Sequence, residues 1–307
     1  VSADPLSAGP TNRERSTEAL VLRGRGASTG RALLRSPRAL AGLALIAALF
    51  VLAYAGPYLT RWSYTDIDYT ALRGAPSADH WMGTSRIGQD LFAQTVRGLQ
   101  KSLLIGALVA LASTALGAAF GTCAGYFGGW VDRVLMFVVD LMLVIPGFLL
   151  LVLLAPRLRG FGWPAFAGLL AALGWMITAR AVRIMTLSLR ERPFVAAARH
   201  MGVGPFRIIA RHVLPHLASF LITDATVAVA AAVISETGLS YFGFGVQPPD
   251  VSLGTLIASG TDVALTCPWM FFFPAGLLLL FVLAVHLVGD ALRDVLDIGS
   301  DRAGALR

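Results

Sequence analysis

The sequence predicts an all-α membrane protein, a polytopic bundle of six transmembrane helices with a helical loop between the fourth and the fifth. Three observations carry this. The 307 residues are 56% hydrophobic and only 14% charged, with a mean hydropathy of +0.70, outside the range of soluble globular chains. Six apolar stretches come close to or exceed the roughly 20 residues a helix needs to cross the hydrocarbon core. None of them alternates polar and apolar residues as a barrel strand does, so helices must satisfy the backbone groups in lipid.

Residues 1–37 are polar and rich in Ser, Gly and Arg, without the early apolar core of a cleavable signal peptide, so a disordered cytoplasmic tail is expected there. A first unit, 38–79, holds one span at about 39–59 and the start of an outer loop. Residues 80–297 are expected to form a core domain with five more spans, at about 103–126, 134–155, 164–180, 217–239 and 269–288. A cytoplasmic tail, 298–307, follows. The second span carries Gly117, Gly121 and Gly125, one turn apart, which let another helix approach closely. Pro146 predicts a bend in the third span, either a fixed kink or a hinge.

The segment of about 187–215 differs from its surroundings. Phe194, Val195, Ala198 and Met201 recur at helical spacing, and after the break Gly202-Val203-Gly204-Pro205 a second run presents Phe206, Ile209 and Val213 on one face. Pro205 suits the first turn of that second helix, and Pro215 is expected to end it as the chain enters the membrane. On pattern alone, this is a surface-lying amphipathic pair whose Arg199, Arg207 and Arg211 meet anionic lipid.

The net charge of +7 comes from 24 Arg and one Lys against 18 acids. Membrane topology accounts for it without nucleic acid: with a cytoplasmic N-terminus, 18 basic residues fall inside and 7 outside, which places both termini in the cytoplasm. Cys123 and Cys267 are read as packing residues, not as a disulfide or metal site. His212 and His216 stand four apart, but no Glu follows His212 and Pro215 interrupts, so no metal is expected. The single lysine, Lys101, follows Gln100, so the chain carries no Gly-Lys-Ser/Thr phosphate loop.

Two acids lie within spans. Asp140 is about six residues into the third and Asp224 about seven into the fifth, each on the order of 10 Å from the inner end. Asp224, Ala228, Ala231 and Ser235 fall along one helix face, a small and polar stripe. Either these aspartates, with Ser235 and Glu236, line a translocation path, or they pair with polar groups of neighbouring helices for assembly.

Ala197-Ala198, then Gly202, then Leu214-Pro215 resembles the EAA motif of bacterial ABC importer permeases. Further stretches resemble the second permease of the dipeptide and oligopeptide branch: "HWMGTSRIGQDLF" (80–92), "AGYFGGWVDRVLMFVVDLMLVIPGFLLLVLL" (124–154), "SETGLSYFGFGVQPPDVSLGTLI" (235–257) and "HLVGDALRDVLD" (286–297). The similarity runs from about Arg31 to Asp297. It implies the type I importer permease fold, with the loop forming coupling helices that fit a cleft on a separate ATPase subunit. Phe194, Ala197, Ala198, Arg199, Gly202, Pro205, Arg207, Leu214 and Pro215 are then the coupling residues. It also implies a companion permease, an extracytoplasmic binding protein, a peptide substrate, and ATP and Mg used by the partner subunits, with no cofactor on this chain. Nickel or another small solute is the alternative cargo. Two departures stand out: Ala196 replaces the Glu of the motif, and Ser85 and Gln89 take the usual Asp and Arg places between Gly83 and Asp90.

Two other classes fit the sequence less well. An intramembrane serine protease would need Ser240 and His286 at one depth, whereas they lie near opposite ends of their spans. A secondary transporter should show internal repeats, and none is evident. The chain is expected to have no catalytic residue.

Overall fold

A computed structural model of the chain describes residues 36–304, and the expected N-terminal tail up to residue 35 and the last three residues lie outside it. Eleven α-helices follow in order: α1 Pro37–Ala55, α2 Leu91–Phe127, α3 Gly129–Val144, α4 Gly147–Leu158, α5 Gly162–Ala172, α6 Met176–Arg190, α7 Pro193–His200, α8 Pro205–Ile208, α9 Leu214–Tyr241, α10 Leu253–Thr261 and α11 Trp269–Gly304. Among the described residues the only β pairing is two isolated bridges, Ile67 with Gln89 and Thr84 with Asp90, in the segment before α2.

Among the described residues four rods are long and apolar enough to span a membrane: Pro37–Tyr58, Leu91–Phe127, Pro205–Tyr241 and Trp269–Val295. Two bent pairs, α3 with α4 and α5 with α6, bring the number to six if each is one span. Here the expected third and fourth spans change. Pro146 does more than kink the third: Ile145 is extended (φ −78°, ψ 124°), as the residue before a proline is pushed to be, and α3 and α4 meet at 85°. The fourth, expected to end at 180, breaks near Gly174 with a 44° bend and runs on to Arg190. The Trp175 indole N–H donates to the Ala172 carbonyl at 2.9 Å, taking up an acceptor the break frees. The last helix also outruns its expectation, continuing through the region 298–304 read as a tail.

The bundle is organised around α2, whose 37 residues extend about 55 Å. Asp90 caps its start by accepting from Ala93 N–H at 2.7 Å. The glycine stripe is the contact with α6: a Cβ at Gly117, Gly121 or Gly125 would come within 3.0 Å of Thr178, of Ala179 and Val182, or of Arg183 and Thr186. On other sides α2 meets α9 and α5, with Ile105, Val109, Leu170, Ala232 and Leu239 in one buried cluster and Leu99, Leu103, Val233 and Leu253 in another. α1 packs along α11, where Gly42 lies against Ala284, Leu287 and Val288.

Candidate functional site

The loop after α6 folds as two short helices joined by a tight turn. Pro193 starts α7 and Pro205 starts α8, each in the first turn, where a missing N–H leaves no bond unmade. Gly202 sits at φ +76°; Val203 N–H donates to Ala198 C=O at 3.1 Å and Gly202 N–H to Arg199 C=O at 3.0 Å. This is a Schellman stop, which a left-handed residue makes possible, and Val203 packs into the same apolar cluster as Ala198.

That cluster anchors the loop. Val195, Ala198, Ile208, Ile209, Val213 and Leu217 are buried against Tyr126 of α2 and Val182 of α6. The two apolar faces expected from the pattern are therefore split: Met201 is 67% and Phe206 70% exposed, and Phe194 is partly exposed, while Ile208, unmarked by the pattern, is wholly buried. Phe194 stacks on His216 at 4.8 Å, and the His216 Nδ1–H donates to the His212 carbonyl at 2.6 Å. Ala197, Arg199, Gly202, Pro205, Arg207 and Pro215 face outward, whereas Leu214 is half-buried.

Pro215 does not end the second helix. It lies in the first turn of α9, and α8 runs into α9 through a wide turn, Ile209–Val213, in which Leu214 N–H bonds back to Ile209 C=O. A proline ring clashes with the carbonyl four residues earlier in a regular helix; the wider winding spares it that contact.

Beside the loop lies a cleft of about 740 Å³, with Tyr126 and Phe127 on one wall and Arg190, Glu191, Ala196 and Arg199 on the others. The Arg199 guanidinium stands 5.7 Å above the Tyr126 ring, and Arg190 donates to the Tyr126 carbonyl at 3.4 Å.

Of the expected path residues, Asp140 accepts from Arg180 at 2.5 Å, and both side chains are more than half exposed. Asp224 accepts at one oxygen, Oδ2, from Thr114 of α2 at 3.1 Å and Thr178 of α6 at 2.9 Å. Thr178 and Arg180 are two residues apart on α6, so the two aspartates reach nearly the same level of that helix. Ser235 is exposed on α9. Glu236 is placed differently from the expectation: it is 0% exposed and accepts at 2.6 Å from both Ser240 and Ser252, which keeps it out of any open path in this chain. Its bonds hold the C-terminal end of α9 to the start of α10. Ser240 thus donates to Glu236, while His286 donates to the Val282 carbonyl, so neither is directed at the other.

Three sets of contacts escaped the sequence reading. Asp132, in the first turn of α3, receives a two-pronged contact from Arg183 of α6, at 2.5 and 2.6 Å. Lys101, 7% exposed, pairs with Asp250 of the loop between α9 and α10 at 3.0 Å beside Trp163, and Arg97 reaches the same carboxylate at 3.4 Å. Buried His80 bonds Asp90 at 2.9 Å and Asp68 at 3.4 Å. The Thr70 hydroxyl and N–H, then His80, hold the Asp68 carboxyl below the usual carboxylate range. The Asp132 and Asp140 spacing, two turns on one face, facing Arg180 and Arg183 was the available signal for the first set.

A solved chain of the MetNI methionine ABC transporter, in inward-facing conformations, superposes with a TM-score of 0.52 at 22% identity, over 66% of this chain and 96% of that one. The chain therefore has the type I ABC importer permease fold. The family described as binding-protein-dependent transport system inner membrane component matches residues 117–297, and that described as the N-terminal TM domain of oligopeptide transport permease C matches residues 26–76. The oligopeptide transport system permease protein OppC of Mycobacterium tuberculosis is 55% identical over 268 residues, 87% of this chain and 92% of the relative. The dipeptide transport system permease protein DppC of Bacillus subtilis is 36% identical over 268 residues, 87% and 83% of the two chains. The chain belongs to the binding-protein-dependent transport system inner membrane component family, and is a multi-pass inner membrane permease.

Proposed function

We propose that this chain is one of two dissimilar permease subunits of an ATP-driven importer of dipeptides or oligopeptides, and that residues 193–215 couple it to cytoplasmic ATPase subunits. The observation that carries the reading is the protruding helical turn, clamped from beneath by Val195, Ala198, Ile208 and Val213 while Met201 and Phe206 stay bare. A loop that served only itself would bury those side chains. The names of the relatives supply the cargo class. Both termini are assigned to the cytoplasm, supported by the Arg excess on that side. ATP and Mg are used by the partner ATPases, and an extracytoplasmic binding protein delivers peptide to the outer end.

Closure of the ATPases on ATP draws the coupling helices together, and α9, continuous with α8, carries that movement into the membrane. Asp140, Asp224 and Ser235 are the candidate path residues. The two threonines that hold Asp224 favour an assembly role for it, while exposed Ser235 and Ala231 give α9 a small-residue face for the companion permease or the path. The test is to tag the chain at its C-terminus, purify it gently from native membranes and identify stoichiometric partners, with peptide uptake measured in a strain lacking the chain. Recovery with a second permease and ATPases, and restored uptake, is expected; recovery alone under several mild detergents would overturn the assignment.

A further inference from the structure

The cleft beside the coupling turn has an unusual charge balance. Arg190 and Arg199 both line it, Glu191 is the carboxylate at its wall, and neither arginine forms an ion pair among the described residues. Elsewhere on the same helical scaffold the arginines are matched: Arg180 has Asp140 and Arg183 has Asp132. Position 196, which lines this space, carries Ala, so Glu191 is the one carboxylate in the lining against two arginines. The site is nevertheless built. Arg199 lies over the Tyr126 ring and Arg190 is tied to the Tyr126 carbonyl, so both guanidiniums are held in place before anything binds. Phe127 and Phe206 meet edge to face at 5.7 Å beside the cleft, and Met201 and Phe206 add exposed apolar surface nearby. A basic recess with aromatic neighbours is the chemistry of a protein contact centre that receives an acidic side chain.

We propose that this cleft receives a carboxylate side chain of the ATPase partner, gripped by Arg190 and Arg199, so that the permease supplies the positive member of the ionic contact and the ATPase the negative one. This rests on the coupling reading above. Ala at 196 keeps a second carboxylate out of the cleft; a Glu there would join Glu191 and offset the two arginines from within the chain.

The experiment uses the full permease pair in nanodiscs of defined lipid, titrated with its own ATPase subunits over a range of salt. Ala196→Glu is expected to weaken ATPase association about tenfold at low salt and to flatten its salt dependence, while Ala196→Gln, nearly the same in size as Glu, costs less affinity and keeps the salt dependence. Arg199→Gln is expected to match Ala196→Glu, with Arg199→Lys restoring part of the affinity. Equal behaviour of Ala196→Glu and Ala196→Gln, or tighter binding with Glu, would overturn the proposal. So would affinity that follows the anionic lipid content and ignores the charge at 196, which would assign the cleft to a lipid headgroup. No ATPase association by the unmodified chain would instead remove the coupling reading itself.

Discussion

Gly202 offers a test of the coupling turn in which backbone cost can be separated from side-chain bulk. Its φ of +76° is a conformation that L-residues rarely adopt, yet a Cβ built there meets nothing within 4 Å. A side chain at 202 therefore costs only the left-handed strain, about 1–2 kcal/mol for Ala, more for a β-branched residue and less for Asn, which visits this region more readily. That strain opposes the two hydrogen bonds that end α7, so about 1–2 kcal/mol lowers the ratio of chains holding the turn to chains that have lost it by about 5- to 30-fold. The helices on either side keep their buried anchors, and the spans are untouched. Uptake and ATPase stimulation should consequently fall in the order Gly, Asn, Ala, Val while the amount of chain in the membrane stays constant. A Gly202→Val variant that transports as well as the parent would refute the reasoning, as would a loss of uptake that merely tracks loss of protein.

Other consequences can be measured separately. Pro146→Ala removes the constraint on Ile145 and should open the 85° bend, increasing the distance between spin labels placed at the exposed positions Phe137 and Leu153; an unchanged distance would mean that packing sets the bend. Asp132→Asn should lower thermal stability by about 2 kcal/mol through loss of the two-pronged contact with Arg183, and the exchanged pair Asp132→Arg with Arg183→Asp should regain part of it. Asp224→Asn keeps an acceptor for Thr114 and Thr178, so selectivity among charged peptides should stay the same in competition uptake assays; a shift against cationic peptides would place Asp224 on the path.

The membrane class and the glycine seam between α2 and α6 were legible because they depend on composition and one-turn spacing. The break at Pro146 was legible in kind and not in size, since a proline dictates the backbone of Ile145 but not where the next helix will pack. The fourth span was misjudged because Arg180 and Arg183 look like the start of a cytoplasmic loop; their partners Asp140 and Asp132 lie some 40 to 50 residues earlier. The coupling turn itself was visible in Gly202 and Pro205, but its buried face was not. Val195 and Ala198 separate from Phe194 and Met201 only when Tyr126 and Val182 are in place beneath them. Likewise, nothing local marks Glu236 as enclosed, because the Ser252 that closes over it arrives from the cap of the next helix, α10.

The wide turn Ile209–Val213 also sets a rotational phase. It adds one residue to a rod that would otherwise wind at 3.6 per turn, which offsets everything above it from everything below it by about 100°. Below the offset, Ile208 and Ile209 seat on Tyr126 and Val182; above it, Asp224 reaches Thr114 and Thr178. Deleting one residue from this turn would leave a smoother helix whose two ends could no longer both be seated: the stretches before and after the turn are in register with their neighbours only because the winding between them is irregular.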